Sequence, residues 1–425
     1  MRRTPVGLLF GLALLLGAAS SGLTIDSPVL QTHIKQIESL FRKHGLKYAF
    51  LGSDSYGRIV LRGEYADERA VNRAFSLAQT VVGVRWVSPV TPENIKVKAW
   101  ESKMTNIIGE ALKGSPSGRA IPSPSSTPAS TSQPPPADLG KPGPVENKYA
   151  IVVGVGSFRE GNIQSLRFST KDAQDFYDYL ASPSGGKFNK GNITLLLNEN
   201  ATKANIVRAL EDVKRRANKN DLLVLFFSSH GTPPAPFGGV YIVTYDTVVK
   251  PRESVWETSI SNEVLKDFIT GVKAQRLLVV MDTCYSNGAY SHVPGFLPEG
   301  GKSLGADDEE GYGQSKEIMA KNLLGAKDIV LDDIALSHST SQQASWGRVL
   351  FSSSTDGEKS WESDRLQNSY FTYHFLDGMK KRGTVRDAFT TAAPKVTAEV
   401  QKEKMAPQHP QVVADRKDSN FSLAQ

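Results

Sequence analysis

Two polar turns, each directly after an apolar run, carry the residues of this sequence that could do chemistry. The apolar run 276–281 leads into a turn with Cys284, the only cysteine among 425 residues. The apolar run 221–227 leads into a turn with His230. Short, wholly apolar runs are typical of parallel strands buried on both faces, and open α/β sheets place their chemistry just past the carboxyl ends of such strands. We therefore expect Cys284 and His230 to meet if the two strands are neighbours.

A thiol beside an imidazole is an arrangement that can attack a carbonyl carbon. The imidazole can help to form the thiolate and can protonate a leaving amine. Gly231 follows His230 and permits close backbone approach, so its N–H and that of Cys284 could both bind an oxyanion. Taken alone, Cys284 could equally be a small buried apolar residue and His230 a turn residue near a cleft. The matching positions of the two residues favour catalysis.

The elements that must position this pair form an α/β pattern over residues 148–415. Strands alternate with helices, which predicts βαβ units in a doubly wound, mostly parallel sheet with helices on both faces. The strands are expected at 149–155, 193–197, 221–227, 240–243, 276–281 and 349–353. The helices are expected at 169–180, 202–217, 262–270, 370–380 and 384–403. A long irregular loop, 290–346, separates the Cys284 strand from the last of these strands, and loops of that length are usually functional or disordered.

Three further segments precede this domain. Residues 1–21 have two arginines, an apolar run and small residues, the plan of a secretory signal peptide, although an uncleaved anchor is also possible. Residues 27–97 predict a small α+β domain. Residues 113–146 are rich in Pro, Ser, Thr and Gly and are expected to form a flexible linker. The net charge of +6 is mild, and nothing resembles a basic, aromatic-rich nucleic-acid surface.

The two turns carry a family resemblance. Residues 229–232, Ser-His-Gly-Thr, and 282–286, Asp-Thr-Cys-Tyr-Ser, resemble the two signatures of the caspase-like cysteine peptidases (peptidase family C14), and of the metacaspase branch in particular. The likeness extends over about 148–411. It implies a caspase-like fold and a cysteine endopeptidase with Cys284 as nucleophile, His230 as acid–base partner and the amides of Gly231 and Cys284 as oxyanion donors. The substrates would be proteins or peptides.

The same resemblance bears on substrate choice and cofactors. Asp172 and Asp282 match the acidic residues with which metacaspases bind Arg or Lys at P1, and paired carboxylates favour a cationic side chain. Each also has a structural interpretation, Asp172 in the first turn of a helix and Asp282 at a strand end. Lys171 stands where metacaspases usually have Asn. Residues 285–295 contain no carboxylate, so the calcium site of some metacaspases is not evident and no cofactor is expected.

Residues 27–97 resemble the BON domain of bacterial envelope proteins, through glycines around short strands and an intervening helix. This resemblance implies a phospholipid or envelope partner; a small prosegment-like domain is the alternative. With the signal-like segment 1–21, it predicts an exported protein that is periplasmic or secreted, with membrane anchoring by that segment as the alternative. Three further hypotheses stay open: a non-catalytic caspase-fold interaction module at the envelope, transpeptidation through the same thioester, and self-cleavage at lysines in 290–346.

Overall fold

The structure, a computed structural model, describes most of the two predicted domains. The described residues are 29–83, 86–91, 93–100, 102, 141–232, 235–236, 241–283, 288–289, 306–307, 346–354, 358–416 and 418–425. The signal-like segment 1–21, most of the linker 113–146, Cys284 and nearly all of the loop 290–346 lie outside them. Among the described helices, none combines the length and the apolar character needed to cross a membrane.

A six-stranded sheet organises the C-terminal domain and confirms the predicted α/β class. Its spatial order is β13-β10-β7-β6-β4-β5, parallel throughout except for β13, which is antiparallel to its neighbour. The strands are β4 Lys148–Gly154, β5 Ile193–Leu197, β6 Leu222–Ser229, β7 Arg276–Thr283, β10 Gly347–Ser352 and β13 Gln411–Ala414. Two-residue strands form separate pairs: β8 Gly288–Ala289 with β9 Ala306–Asp307, and β11 Glu362–Ser363 with β12 Asn368–Ser369. All eight residues of β6 and all eight of β7 are buried, which explains the apolar runs 222–227 and 277–281 within them.

Helices cover both faces of this sheet, as predicted. They are α3 Ser169–Ala181, α4 Lys203–Arg216, the short α5 Ser254–Thr258, α6 Asn262–Gly271, α7 Tyr370–Arg382 and α8 Val385–Lys404. One apolar layer joins α3, α7 and α8 to one face of the sheet, and a second layer joins α4 and α6 to the other. At the start of α4 the Thr202 side chain caps the helix by accepting a hydrogen bond from the N–H of Asn205.

The N-terminal unit is a small α+β fold. It contains α1 Gln31–Lys43, β1 Ala49–Ser53, β2 Ile59–Tyr65, α2 Glu68–Val82 and β3 Ile95–Val97, with a sheet order β1-β2-β3. Asp67 caps α2 by accepting from the N–H of Ala70. Val87 forms an isolated bridge with Ile59, and the third strand of the sheet is β3.

The prediction of a strand at 240–243 is wrong. Within its described part, Ile242 forms isolated bridges to Gly231 on one side and Ile260 on the other. Its backbone bonds are thus divided between two irregular segments, and the described residues 241–243 form no continuous ladder.

The last residues of the predicted linker are packed: Gly143 accepts a hydrogen bond from Arg276 at 2.7 Å and donates to Asn220 at 2.9 Å.

Candidate active site

The prediction that the strands leading to His230 and Cys284 are neighbours is confirmed. β6 and β7 are adjacent and parallel, and their register pairs Ser228 with Asp282 and Ser229 with Thr283. The next residue along the first chain is His230, and the next along the second is Cys284. Neighbouring strands lie about 4.8 Å apart. The register therefore places Ser229 and Thr283, which directly precede His230 and Cys284 in the sequence, side by side at the same edge of the sheet, and Cys284 itself lies outside the described residues.

The imidazole of His230 is buried and held in a defined orientation. Its Nε2 lies 2.7 Å from the carbonyl oxygen of Gln164, and its ring stacks on Phe158 with centroids 5.3 Å apart. A carbonyl oxygen can only accept a hydrogen bond, so Nε2 must carry the proton of this contact. In the neutral ring the lone pair is then on Nδ1. The Gln164 contact thus selects the tautomer in which Nδ1 is the basic atom.

The backbone around Gly231 is fixed by the segment after it. The N–H of Val243 donates to the carbonyl of His230 at 2.9 Å, and the N–H of Thr232 donates to the carbonyl of Tyr241 at 2.9 Å. These two bonds flank Gly231, which pairs with Ile242 in an antiparallel bridge. In such a pair the bonds of the flanking residues face the partner and those of the central residue face away. The Gly231 amide is therefore directed away from 241–243.

Asp172 is fully buried and accepts hydrogen bonds from neutral donors on two other segments. Its Oδ1 accepts from the backbone N–H of Ser369 at 2.8 Å and from Asn368 Nδ2 at 3.1 Å. Its Oδ2 accepts from Ser228 Oγ at 3.0 Å and from Ser369 Oγ. Through these bonds the first turn of α3 is joined to β6 and to β12. The carboxylate thus lies beside the carboxyl end of the strand that leads to His230.

Asp282 is also fully buried, two residues before Cys284 in β7. Its Oδ1 accepts from Ser360 Oγ at 2.7 Å, and its Oδ2 accepts from Thr372 Oγ1 at 2.6 Å. Ser228, which donates to Asp172, is the register partner of Asp282. The two carboxylates are therefore brought to one region of the sheet edge.

The hydroxyl and amide groups around these carboxylates were not found by sequence reasoning. They are Ser228, Ser360, Asn368, Ser369, Thr372 and Gln408. Gln408 Nε2 bonds to Ser360 Oγ at 3.3 Å and to the Ser353 carbonyl at 2.9 Å, and its Oε1 accepts from the N–H of Trp361. The sequence marks these residues only as small polar residues in otherwise apolar surroundings, a pattern that most turns share.

Lys171, the departure from the metacaspase pattern, pairs with Asp175 at 2.5 Å.

No cluster of three or more His, Cys, Asp or Glu side chains among the described residues is arranged to hold a metal ion. The acidic run 307–310 lies largely outside those residues.

Sequence and structure comparisons find similarity to known proteins. The family model described as caspase domain matches residues 147–421. Metacaspase-4 from Arabidopsis thaliana is 27% identical over 187 residues, which cover 42% of this chain and 43% of that protein. Metacaspase-1 from Saccharomyces cerevisiae is 24% identical over 147 residues, 33% of each chain. The chain thus spans less than half the length of these relatives. A crystal structure of caspase-1 from Spodoptera frugiperda has a TM-score of 0.39 at 13% identity, covering 71% of this chain and 97% of that one.

Proposed function

The chain belongs to the caspase domain family, and on that premise we propose that it is a cysteine-type endopeptidase that cleaves peptide bonds after Arg or Lys. The observation that carries the proposal is the register of β6 and β7. It pairs Ser229 with Thr283 and so makes His230 and Cys284 the next residues on adjacent strands. A nucleophile and its base need to come within hydrogen-bonding reach of one another, and equivalent positions past two neighbouring strands support this pairing.

The proposed reaction uses the tautomer that Gln164 selects. Nδ1 of His230 takes the proton of the Cys284 thiol, and the thiolate attacks the scissile carbonyl carbon. Collapse of the tetrahedral intermediate breaks the C–N bond, and the imidazolium protonates the departing amine. A water molecule, deprotonated by the same imidazole, then hydrolyses the thioester and regenerates the thiol. The stacked ring of Phe158, which is partly buried, restricts rotation of the imidazole and keeps it positioned for both proton transfers.

The backbone N–H groups of Gly231 and Cys284 are the proposed oxyanion donors. The bonds of His230 and Thr232 to 241–243 direct the Gly231 amide to the other side of its chain. The carbonyl of Ser228 bonds to Val155 after β4, and that of His230 bonds to Val243. Backbone groups alternate in direction along an extended chain, so the Gly231 amide falls on the side of β7. This is the side on which the thioester would form.

The preference for Arg or Lys is assigned to Asp172 and Asp282. Both carboxylates are buried, and their named donors are hydroxyl and amide groups that leave the negative charge in place. A guanidinium or ammonium group entering this region would form charge-assisted hydrogen bonds in a medium of low dielectric constant. An aspartate at P1 would be repelled by the same charges. No metal or organic cofactor is part of the proposed reaction, so EDTA is expected to leave turnover unchanged.

Peptide turnover by the full-length chain tests the function. Fluorogenic peptides with Arg, Lys, Gln or Asp at P1 are compared for the wild type, Cys284→Ala and His230→Ala. We expect cleavage after Arg and Lys and its loss in both variants, with circular dichroism showing that both remain folded. No cleavage of any peptide would favour a non-catalytic interaction module. Aminolysis products that outnumber hydrolysis products in the presence of added amines would favour a transpeptidase.

Export to the cell envelope is a separate proposal that rests on the sequence of residues 1–21 and the α+β fold of the N-terminal unit. The substrates would then be envelope or extracellular proteins, and the N-terminal unit would contact a phospholipid or an envelope partner. N-terminal sequencing of the protein recovered from periplasmic and culture fractions tests this proposal. Cleavage near residue 21 is expected; recovery of the intact N-terminus in the cytoplasmic fraction would contradict it.

A further inference from the structure

The N-terminal unit lies against the C-terminal domain through polar contacts made by α2 and the segment after it. Arg73 Nε pairs with Glu253 Oε1 at 2.9 Å, and the Glu253 side chain is only 11% exposed. Gln79, itself buried, accepts a hydrogen bond from Arg252 at 3.1 Å. The N–H of Val90 donates to the carbonyl of Pro236 at 2.6 Å. These contacts join the two units across about 150 residues of sequence.

Apolar packing reinforces these contacts. Phe75 on α2 is fully buried, and its ring meets the ring of Trp256 edge to face at 6.2 Å. A single hydrophobic cluster contains the core of the N-terminal unit together with side chains of the C-terminal domain. The contributions of the C-terminal domain to this cluster are Ile163, Ala235, Val243, Val249, Val255 and Trp256. The two units therefore share one core at this junction, which a freely tethered domain would not do.

Three of the groups that hold His230 belong to or adjoin this shared cluster. Val243 donates its N–H to the carbonyl of His230, and its own carbonyl accepts from Ser229 Oγ at 2.7 Å. Ile163 directly precedes Gln164, whose carbonyl binds His230 Nε2. Phe158 packs against the cluster and stacks on the imidazole. The backbone, the tautomer-selecting contact and the stacked face of His230 thus all depend on packing that the N-terminal unit completes.

We propose that the N-terminal unit is a built-in positioning element for His230, docked on segment 241–258 rather than only tethered to the catalytic domain. The inference rests on the proposed function in one respect, namely that His230 acts with Cys284. Arg73 and Glu253 are positioning residues in this account, since they fix the docked unit and act on the imidazole only through Val243, Ile163 and Phe158. Undocking removes packing from these groups and lets the imidazole leave the orientation that activates the thiol.

Docking itself is tested in the full chain with a site for a specific protease placed within residues 113–140. After cleavage, the two parts are expected to elute together in gel filtration, because the shared apolar cluster and the Arg73–Glu253 pair hold them. Arg73→Glu places a carboxylate against the buried Glu253 and is expected to weaken this association, and Arg73→Glu with Glu253→Arg is expected to restore it. Lys35→Glu, an exposed change of the same charge on α1, is the matched control. Separation of the wild-type parts would overturn the proposal.

Positioning is tested through the reactivity of Cys284. Because Cys284 is the only cysteine, alkylation by iodoacetamide followed by mass spectrometry reports on this thiol alone. An isolated thiol has a pKa of about 8.5, and an imidazole partner promotes the thiolate at lower pH. We expect Arg73→Glu to slow alkylation at about pH 6.5 by roughly threefold or more, and to lower kcat with little change in KM. The charge-swapped double variant should recover both, and Lys35→Glu should resemble the wild type.

His230→Ala separates the two levels of the argument. If His230→Ala alkylates as the wild type does, the Cys284–His230 pair, and with it the proposed function, is wrong. If His230→Ala slows alkylation while Arg73→Glu and the wild type react alike, the pair stands and the positioning role of the N-terminal unit is wrong. A double variant that stays as slow as Arg73→Glu would also contradict the proposal, because the effect would then not arise from the pairing of these two residues.

Discussion

Replacing Asp172 by Asn removes one buried charge and keeps the surrounding hydrogen bonds. The amide oxygen can still accept from the N–H of Ser369 and from Asn368, the partners of Oδ1. The amide NH₂ replaces Oδ2, whose partners are the hydroxyl groups of Ser228 and Ser369. Hydroxyl groups rotate and can accept as well as donate, so both contacts survive with reversed polarity. The substitution therefore tests the charge of Asp172 separately from its structural role.

The magnitude follows from the difference between charged and neutral hydrogen bonds. A bond to a charged group contributes about 1.5–3 kcal/mol and a neutral one about 0.5–1.5 kcal/mol, so the cationic P1 group loses roughly 1–2.5 kcal/mol. At about 1.4 kcal/mol per factor of ten, kcat/KM for an Arg peptide should fall roughly 5- to 60-fold. A Gln peptide gains nothing from the charge, so its kcat/KM should change little. The ratio of the two kcat/KM values is the quantity to measure.

Two control variants separate the effect of the Asp172 charge from a general effect on the fold. Asp178→Asn, an exposed substitution on the same helix, should leave both kcat/KM values unchanged. Asp172→Ala should lower the free energy of unfolding by several kcal/mol, because it leaves the buried N–H of Ser369 and the amide of Asn368 without this acceptor. If Asp172→Asn folds as the wild type and retains the full preference for Arg over Gln, the assignment of Asp172 to the P1 pocket is refuted.

Three further predictions concern stability, each measured by urea unfolding. Arg348→Met should lower the free energy of unfolding by about 2–4 kcal/mol, because the buried guanidinium donates to three backbone carbonyls at and after the end of α6. An unchanged free energy of unfolding would mean that these carbonyls find other donors. Asp67→Ala should cost about 1 kcal/mol through the lost cap of α2, and Asp67→Asn should cost less. Burial lowers the pKa of His374, although Glu399 lies 3.2 Å away. As the pH falls below about 6.5, His374 therefore takes up a proton in the unfolded chain before it does so in the folded chain. The wild type should consequently lose stability relative to His374→Gln between about pH 7 and pH 5. If the free energy of unfolding changes equally with pH in the two proteins, the direction of the pKa change is contradicted.

Much of the fold could be predicted because the strands are short apolar runs separated by amphipathic helices. β6 and β7 are buried along their whole length, so their sequences report burial directly. The failure at 240–243 has the opposite cause. Ile242 is buried and apolar like a strand residue, yet its backbone pairs with two separate segments. The antiparallel β13 was missed because a four-residue run near the end of the chain carries no period long enough to read.

The candidate site, too, could be predicted from the sequence only in part. The resemblance marks Cys284, His230, Asp172 and Asp282, and the strand ends independently mark all of these except Asp172, which lies in the first turn of α3. The donors to the carboxylates were not predicted, since Ser360 and Thr372, with Gln408 bonded to Ser360, reach the site from distant parts of the chain and only the fold brings them together. Nor does any sequence pattern indicate that α2 packs beside the segment that holds His230, because that contact depends on how two separately encoded units meet.

Covalent labelling with an electrophilic peptide that carries Arg at P1 tests the central claim most directly. The full-length protein is treated with this reagent and with its Asp counterpart, and the adduct is located by mass spectrometry. The account predicts one adduct, on Cys284, that forms with the Arg reagent, is slower by a large factor with the Asp reagent, and is lost in His230→Ala. A Cys284 adduct that forms equally well with both reagents and without the imidazole would contradict it.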